Sequence, residues 1–214
     1  MQEGKKIWLI RHGETAYNLE GKLQGSRVDT DLNQTGKKQA EAFFNKYQNI
    51  GFDKIYISPF KRTYQSVFKF IQKGIFFEKH AALNEIDWGP KDGKICDLQG
   101  PGSYLFTIQE WDKGNMSQKM EGGETPLEVQ ARQRKFLELI ISRPDEKEIL
   151  ICMHGRAMRI MLSTMLNTPL DKMKQYKHNN LGLYILHYAS GIFEIEVNND
   201  TSHLAEIRSI DAVG

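Results

Sequence analysis

A chain of 214 residues with 40% hydrophobic and 26% charged residues is long enough to bury a substantial core and has the composition of an ordinary globular protein. Its formal net charge of +2 provides no bulk attraction to nucleic acid or to a membrane surface, so neither is expected as a partner. No apolar run approaches the ~20 residues that span a bilayer. Met1 to Lys6 lead into the first apolar stretch without a signal-peptide core, and a cytoplasmic location is the expectation.

In chain order, Lys6–Ile10 reads as a buried strand that ends abruptly at Arg11-His12-Gly13-Glu14. The pattern then predicts an amphipathic helix over Thr35–Ile50, with Ala40, Phe43, Phe44 and Tyr47 on one face and Gly51 placed as its C-terminal cap. Lys54–Ile57 is a second strand. A helix from about Phe60 to Gln72 follows, with Phe60, Tyr64, Val67, Phe68 and Ile71 on one side, and Ile75–Glu78 is a third strand. From Asn84 to Gly123 the periodicity weakens, with Tyr104–Trp111 as a short helix. Thr125-Pro126-Leu127-Glu128 combines a capping box with a proline at the first helical position, and that helix runs to about Ser142. Ile149–Met153 is a fourth apolar strand ending in His154-Gly155, followed by a helix over Arg156–Leu166. Leu183–Tyr188 and Ile192–Val197 form a hairpin across Ala189-Ser190-Gly191.

Alternating strands and helices predict an α/β fold: a three-layer α/β/α sandwich around a mostly parallel central sheet, with an antiparallel edge contributed by the hairpin. One domain over 1–214 is expected, with 90–121 as an insertion folded over the sheet edge. Cys96 and Cys152 lack metal-ligand spacing and read as two thiols rather than a disulfide. Nothing in the sequence specifies an oligomeric state.

Open α/β sheets bind ligands at the carboxyl ends of their strands. The residues delivered there are informative. Arg11 and His12 offer a cation and an imidazole, and Gly13 a backbone that a ligand can approach closely. His154-Gly155 also follows an apolar strand and opens a helix, whose first N–H groups suit a phosphate. Ser58 to Ser66 leaves another strand through Pro59 into a helix whose first turn holds Lys61 and Arg62. A rigid, permanently charged guanidinium is well matched to phosphate oxygens. Leu83-Asn84-Glu85-Ile86-Asp87-Trp88-Gly89 offers two carboxyl groups, Glu85 and Asp87, for protonating a leaving oxygen and activating water. The residues alone do not choose between them.

Together these segments resemble the histidine phosphatase superfamily, also called phosphoglycerate-mutase-like. Arg11 to Glu14 matches its Arg-His-Gly-Glu signature, and Asn18 an asparagine that contacts phosphate or substrate in many members. Gly21-Lys22-Leu23-Gln24-Gly25 and Asp31 to Gly36 resemble its next block, which suggests Gln24 as a substrate-binding residue. Asn33 replaces a threonine of that block and can still cap a helix. Ser58 to Ser66 fits the second arginine segment, and Leu83-x-Glu85-x-x-x-Gly89 fits the acid/base segment, favouring Glu85. Gly122-Gly123-Glu124-Thr125 and His154-Gly155 fit two further segments, in the family's order.

The resemblance implies a phosphoglycerate-mutase-like fold and a phosphomonoester hydrolase needing neither metal nor cofactor. His12 would be the nucleophile, with Arg11, Arg62 and His154 around the phosphoryl oxygens and Glu85 as acid and base. Gly13, Asn18, Gln24 and Gly155 would contact a small phosphorylated substrate. The insertion would form part of a substrate lid, its rim drawn from Trp88, Tyr104, Phe106 and Trp111, some of which would instead form the insertion's own core. Two alternatives remain. A phosphoglycerate mutase would carry a longer, arginine-rich insertion. This one has Lys91, Lys94, Lys113 and Lys119 but no arginine, so hydrolysis is favoured. An inactive phosphate-binding module would have lost a site residue, and every expected position is filled.

Overall fold

The computed structural model describes residues 4–96 and 100–207; residues 97–99 of the expected insertion therefore lie outside it. Six strands form one sheet: β1 (Lys5–Arg11), β2 (Lys54–Ile57), β3 (Phe77–Lys79), β4 (Glu148–Met153), β5 (Leu183–Ala189) and β6 (Ile192–Asp200). Their spatial order is β3-β2-β4-β1-β5-β6. The first four are mutually parallel, whereas β5 runs antiparallel to β1 and β6 antiparallel to β5. The mostly parallel sheet with an antiparallel edge is as expected.

Side-chain alternation builds the layers. Ile7 and Leu9 of β1 join Ile149, Ile151 and Met153 of β4 in a core covered by α5 (Pro126–Ile141) and α6 (Gly155–Met165). Trp8 and Ile10, with Leu150 and Cys152, face the opposite core under α2 (Gln34–Tyr47) and α3 (Lys61–Gln72). Because both faces are covered, the central parallel strands carry continuous apolar runs, Ile7–Ile10 in β1 and Ile149–Met153 in β4, rather than alternating. Among the described residues, no helix is long and apolar enough to cross a membrane. Cys96 and Cys152 are free thiols.

The local signals act mostly as read. Thr125 and Glu128 form the reciprocal capping box of α5 behind Pro126. Asn33 caps α2 by accepting from the Gly36 N–H at 2.8 Å. The hairpin turns through Ser190 and Gly191, both at positive φ (52° and 83°), as a two-residue primed turn requires. Two boundaries differ. α2 stops at Gln48, so Gly51 is not its cap; the chain leaves the helix early and sends Ile50 and Phe52 into the core beneath it. β3 starts at Phe77 rather than Ile75, since its pairing with β2 begins at Ile55 and Phe77. The sequence reading also omitted α1 (Ala16–Leu19) and the 3₁₀ segment Leu170–Gln175. Within the insertion, α4 spans Tyr104–Asp112, capped by Ser103.

Candidate active site

Register brings the predicted residues to one rim. Arg11 pairs with Met153 and Ile57 with Cys152, so Arg11-His12, Ser58 and His154 all leave the sheet at the same end. The rim opens into a cavity of about 150 Å³. Arg11, His12, Asn18, Gln24, Glu85 and Gly155 line it. Arg62 and His154 form a layer behind.

His12 is almost fully buried and its backbone N–H donates to the Met153 carbonyl at 3.0 Å, tying the end of β1 to β4. Its Nδ1 lies 2.7 Å from the Gly13 carbonyl oxygen. A carbonyl only accepts, so Nδ1 carries the proton and Nε2 keeps its lone pair. Burial, followed by the charges of Arg62 and Arg11, holds the imidazole well below its ordinary pKa and therefore neutral. Gly13 serves packing rather than ligand approach. Its N–H donates to Ser66 Oγ at 2.9 Å, and a Cβ there would come within 2.7 Å of the Gly36 carbonyl. Gly36 in turn presses against the Glu14 backbone, which locks the loop after β1 onto the first turn of α2.

Arg62 and His154 bond to each other. Arg62 Nε donates to His154 Nδ1 at 3.1 Å, while Nη1 and Nη2 donate to the carbonyls of Val28 (2.8 Å) and Gly25 (3.3 Å). Since His154 Nδ1 accepts, Nε2 holds the proton and donates to Ser58 Oγ at 2.8 Å. Burial and the Arg62 charge keep His154 neutral as well. Arg62 Nε and both His154 nitrogens thus have protein partners, while Arg62 Nη1 and Nη2 each spend one of their two N–H groups on a carbonyl. Both side chains are fully enclosed, and enclosed polar groups need internal partners. The rings of His12 and His154 lie 5.1 Å apart, so the pair backs the proposed nucleophile.

At the start of α6 the N–H groups of Arg156 and Ala157 are already engaged by a carboxylate rather than left for a phosphate. Glu85 accepts from the N–H groups of Arg156 (2.9 Å) and Ala157 (2.7 Å), and from that of Ile86 (2.9 Å). A carboxylate is well placed at a helix N-terminus, where the backbone dipoles present positive charge. Asp87 points elsewhere: it pairs with Arg27 at 2.9 Å and caps the Gly89 N–H at 2.7 Å. The geometry therefore singles out Glu85.

The Gly122-Gly123-Glu124 segment holds this loop. Glu124 Oε2 accepts from the Asp87 N–H at 3.0 Å, and the Glu124 N–H donates to the Asp87 carbonyl at 2.9 Å. A side chain on Gly123 would collide with that carbonyl. Arg132 grips Glu124 through two nitrogens at 3.0 and 3.1 Å and donates to the Glu85 carbonyl at 3.2 Å.

Two rim residues escaped the sequence reading. His178 accepts from Arg11, whose Nη1 lies 3.3 Å from its Nδ1 and 3.0 Å from its carbonyl oxygen. Burial, with the charges of Arg11, Arg159 and Arg156, lowers its pKa to about 2. Asn180 Nδ2 donates to the His12 carbonyl (3.0 Å) and to Asn18 Oδ1 (3.2 Å). The signal was the polar run Lys177-His178-Asn179-Asn180 just before β5. An antiparallel strand brings its amino end to the rim where the parallel strands end, as the pairing of Ile10 with Leu183 shows. Gly155 makes room for this arrangement, since a Cβ would stand 3.1 Å from the His178 ring and 3.4 Å from Arg11 Nε.

Gln24 reaches the wall with both ends engaged, accepting from Thr15 Oγ1 at 3.0 Å and donating to Thr30. Of the insertion's aromatics, Trp88 and Tyr104 line the cavity, and Trp111 is fully buried against Trp88. Lys113 and Lys119 pair with Glu110 and Glu128 on the surface.

Residues 7–201 match the histidine phosphatase superfamily, branch 1, and the chain belongs to that superfamily. It is 29% identical over 202 residues to phosphoserine phosphatase 1 of Hydrogenobacter thermophilus, covering 94% of this chain and 95% of that protein. It is 28% identical to a Yersinia pestis protein named probable phosphoglycerate mutase GpmB, covering 93% and 94% of the two chains. Its fold matches that of a mycobacterial glucosyl-3-phosphoglycerate phosphatase with a TM-score of 0.80 at 24% identity, over 92% of this chain and 100% of that one.

Proposed function

We propose that this protein hydrolyses a small phosphomonoester through a phosphohistidine at His12. The observation that carries the proposal is the Nδ1–H to Gly13 carbonyl bond at 2.7 Å, which leaves Nε2 unprotonated in a cavity shared with Arg11 and Glu85. The Nε2 lone pair attacks phosphorus and the bond to the ester oxygen breaks. Glu85 enters the cycle as the neutral acid, gives its proton to the departing alkoxide, and becomes the carboxylate that the backbone N–H groups of Ile86, Arg156 and Ala157 hold. The same carboxylate then takes a proton from a water whose oxygen attacks phosphohistidine, releasing phosphate and restoring His12.

Arg11 stands at the wall with a buried Nε–H that has no protein acceptor, and is the group assigned to the phosphoryl oxygens. Arg62 and His154 act from behind: their mutual bond fixes the floor under His12, and the Arg62 charge adds to the positive field that stabilises the transferring group. Asn18, whose Oδ1 is held by the Thr15 N–H and by Asn180, offers its amide N–H to the substrate. Gln24, held by Thr15 and Thr30, contributes to the wall that the substrate meets. Cys96 and Tyr104, from the described parts of the insertion, stand at the cavity and would contribute to a substrate lid.

Hydrolysis is favoured over transfer within a sugar acid because the insertion lysines Lys113 and Lys119 are engaged with surface carboxylates. The deciding experiment incubates the protein with p-nitrophenyl phosphate, a panel of phosphorylated metabolites and 3-phosphoglycerate. Phosphate release is expected. Interconversion of phosphoglycerates faster than phosphate release would replace hydrolase with mutase, and no turnover of any ester would point to an inactive binding module.

A further inference from the structure

Among the described residues, two arginines keep a buried Nε–H with no acceptor, and both line the same cavity. Arg11 is the first, and the proposed phosphoryl group accounts for it. Arg156 is the second, and nothing in the phosphoryl chemistry requires it. It sits in the first turn of α6, is only 8% exposed, and donates through Nη2 to the Tyr104 hydroxyl at 2.9 Å. Its guanidinium stands 5.7 Å from the centre of the Trp111 ring. Tyrosine and tryptophan thus hold the side chain from the insertion side, while its Nε–H stays unpartnered. No carboxylate pairs with it.

The surroundings are short of negative charge. Arg159, one turn along, donates to the Tyr176 carbonyl at 2.8 Å and likewise has no acidic partner; burial, then Arg156, lowers its pKa to about 10. Of the charged residues described on the cavity wall, Arg11, Lys22 and Arg156 are cationic, Lys22 already paired with Glu20, and Glu85 is the one described carboxyl. A buried cation without a counterion is costly, and a ligand that supplies the missing charge gains by supplying it.

Position assigns the ligand group. The Arg156 backbone N–H donates to Glu85 Oε2 and both residues line the same cavity, which sets Arg156 beside the carboxyl group assigned to the leaving oxygen. A group reaching Arg156 therefore belongs to the leaving alcohol, not to the phosphoryl. A single guanidinium whose buried Nε–H lacks an acceptor matches the planar, singly charged fork of a carboxylate. Arg11 and Arg156 line one and the same cavity, so a single small molecule can present its phosphoryl group to the first and its carboxylate to the second.

We propose that Arg156, held by Tyr104, binds a carboxylate on the leaving alcohol, making the substrate a short phosphorylated carboxylic acid. The clamp comes from α6 rather than from the insertion. It rests on the proposed phosphoester site, because the carboxylate is placed relative to Glu85 and Arg11.

Two arms separate the two proposals. The first compares O-phosphoserine with O-phosphoethanolamine, which differ by the carboxylate, as a ratio of kcat/KM within each variant, so that partial loss of folded protein cancels. The wild type is expected to prefer phosphoserine by about tenfold to a hundredfold, the range for a hydrogen bond between charged groups. Arg156→Gln should bring the ratio near one, chiefly through KM, and Arg156→Lys should regain part of it. Tyr104→Phe, which keeps the ring, should lower the ratio less than Arg156→Gln. The second arm needs no turnover: calorimetric binding of 2-amino-4-phosphonobutyrate against 3-aminopropylphosphonate, again differing by the carboxylate. The wild type should bind the carboxylate member more tightly, and Arg156→Gln should lose the difference. A wild type that does not discriminate, or a preference that survives in Arg156→Gln, overturns the carboxylate site. Discrimination in binding without hydrolysis of any ester would uphold it and overturn the hydrolase reading instead.

Discussion

Behind His12 the polar atoms are enclosed and partnered: Arg62 with His154, His154 with Ser58, Glu85 with three backbone N–H groups. At the mouth, Arg156 is equally enclosed yet keeps a donor without an acceptor. The first region is rigid because each group's partner is fixed by strand ends and helix starts, which suits chemistry that needs unchanging geometry. The second is held by the insertion and left open, which suits a group supplied by substrate. Chemistry and selectivity are thereby placed on different structural supports, so substitutions should separate them.

The sharpest break is His12→Ala. It should lower phosphate release from every ester alike by about a thousandfold or more, with selectivity between esters no longer measurable. Residual activity near wild type would remove His12 from the mechanism. Next, Glu85→Gln should slow turnover by about a hundredfold or more. With p-nitrophenyl phosphate, whose leaving group needs no acid, it should give a burst of nitrophenol followed by slow hydrolysis. Absence of a burst together with full damage from Asp87→Asn alone would transfer the acid/base role to Asp87. Arg132→Met tests whether the Gly-Gly-Glu clamp positions Glu85. Between about tenfold and a hundredfold of kcat should be lost, with KM little changed, because the group moved is catalytic rather than binding. An unchanged kcat would make the clamp purely structural.

The smallest effect lies in stability. His12, His154 and His178 are buried and neutral in the folded protein, with His178 at about 2 and the other two well below their ordinary 6.5. The unfolded chain takes up these protons near pH 6.5 while the folded protein does not. Their stabilising contribution is therefore complete above that value and is lost as pH falls below it, by about 1.4 kcal/mol per pH unit for each histidine. Urea unfolding at about pH 6 and about pH 5 should show a difference that His178→Asn reduces by one histidine's share. The same difference in both proteins would mean that His178 is protonated in the folded state.

Much of this was legible beforehand for a physical reason. Apolar strands that stop at charged residues announce a sheet rim, and the Thr125–Glu128 cap and the α2 and α3 stripes follow from helical spacing. Partner choice was not legible. Arg62, His154 and Glu85 could be recognised as residue types, but that Arg62 binds His154 and that Glu85 occupies the start of α6 depends on distances no linear pattern contains. His178 and Asn180 were missed because a polar loop before a strand looks like any turn until the strand's direction is known. That Arg156 faces the cavity was not legible either, because a helix-start arginine has no fixed direction in a linear pattern; its burial and missing acceptor are visible only in the fold.

The central claim is tested most directly by mass spectrometry of Glu85→Gln protein quenched during turnover of p-nitrophenyl phosphate. One phosphoryl group, lost in acid and stable in base, should map to the peptide containing His12 and be missing from the His12→Ala, Glu85→Gln double variant. A phosphoryl group on another residue, or turnover with none on the protein at any time, would contradict the account.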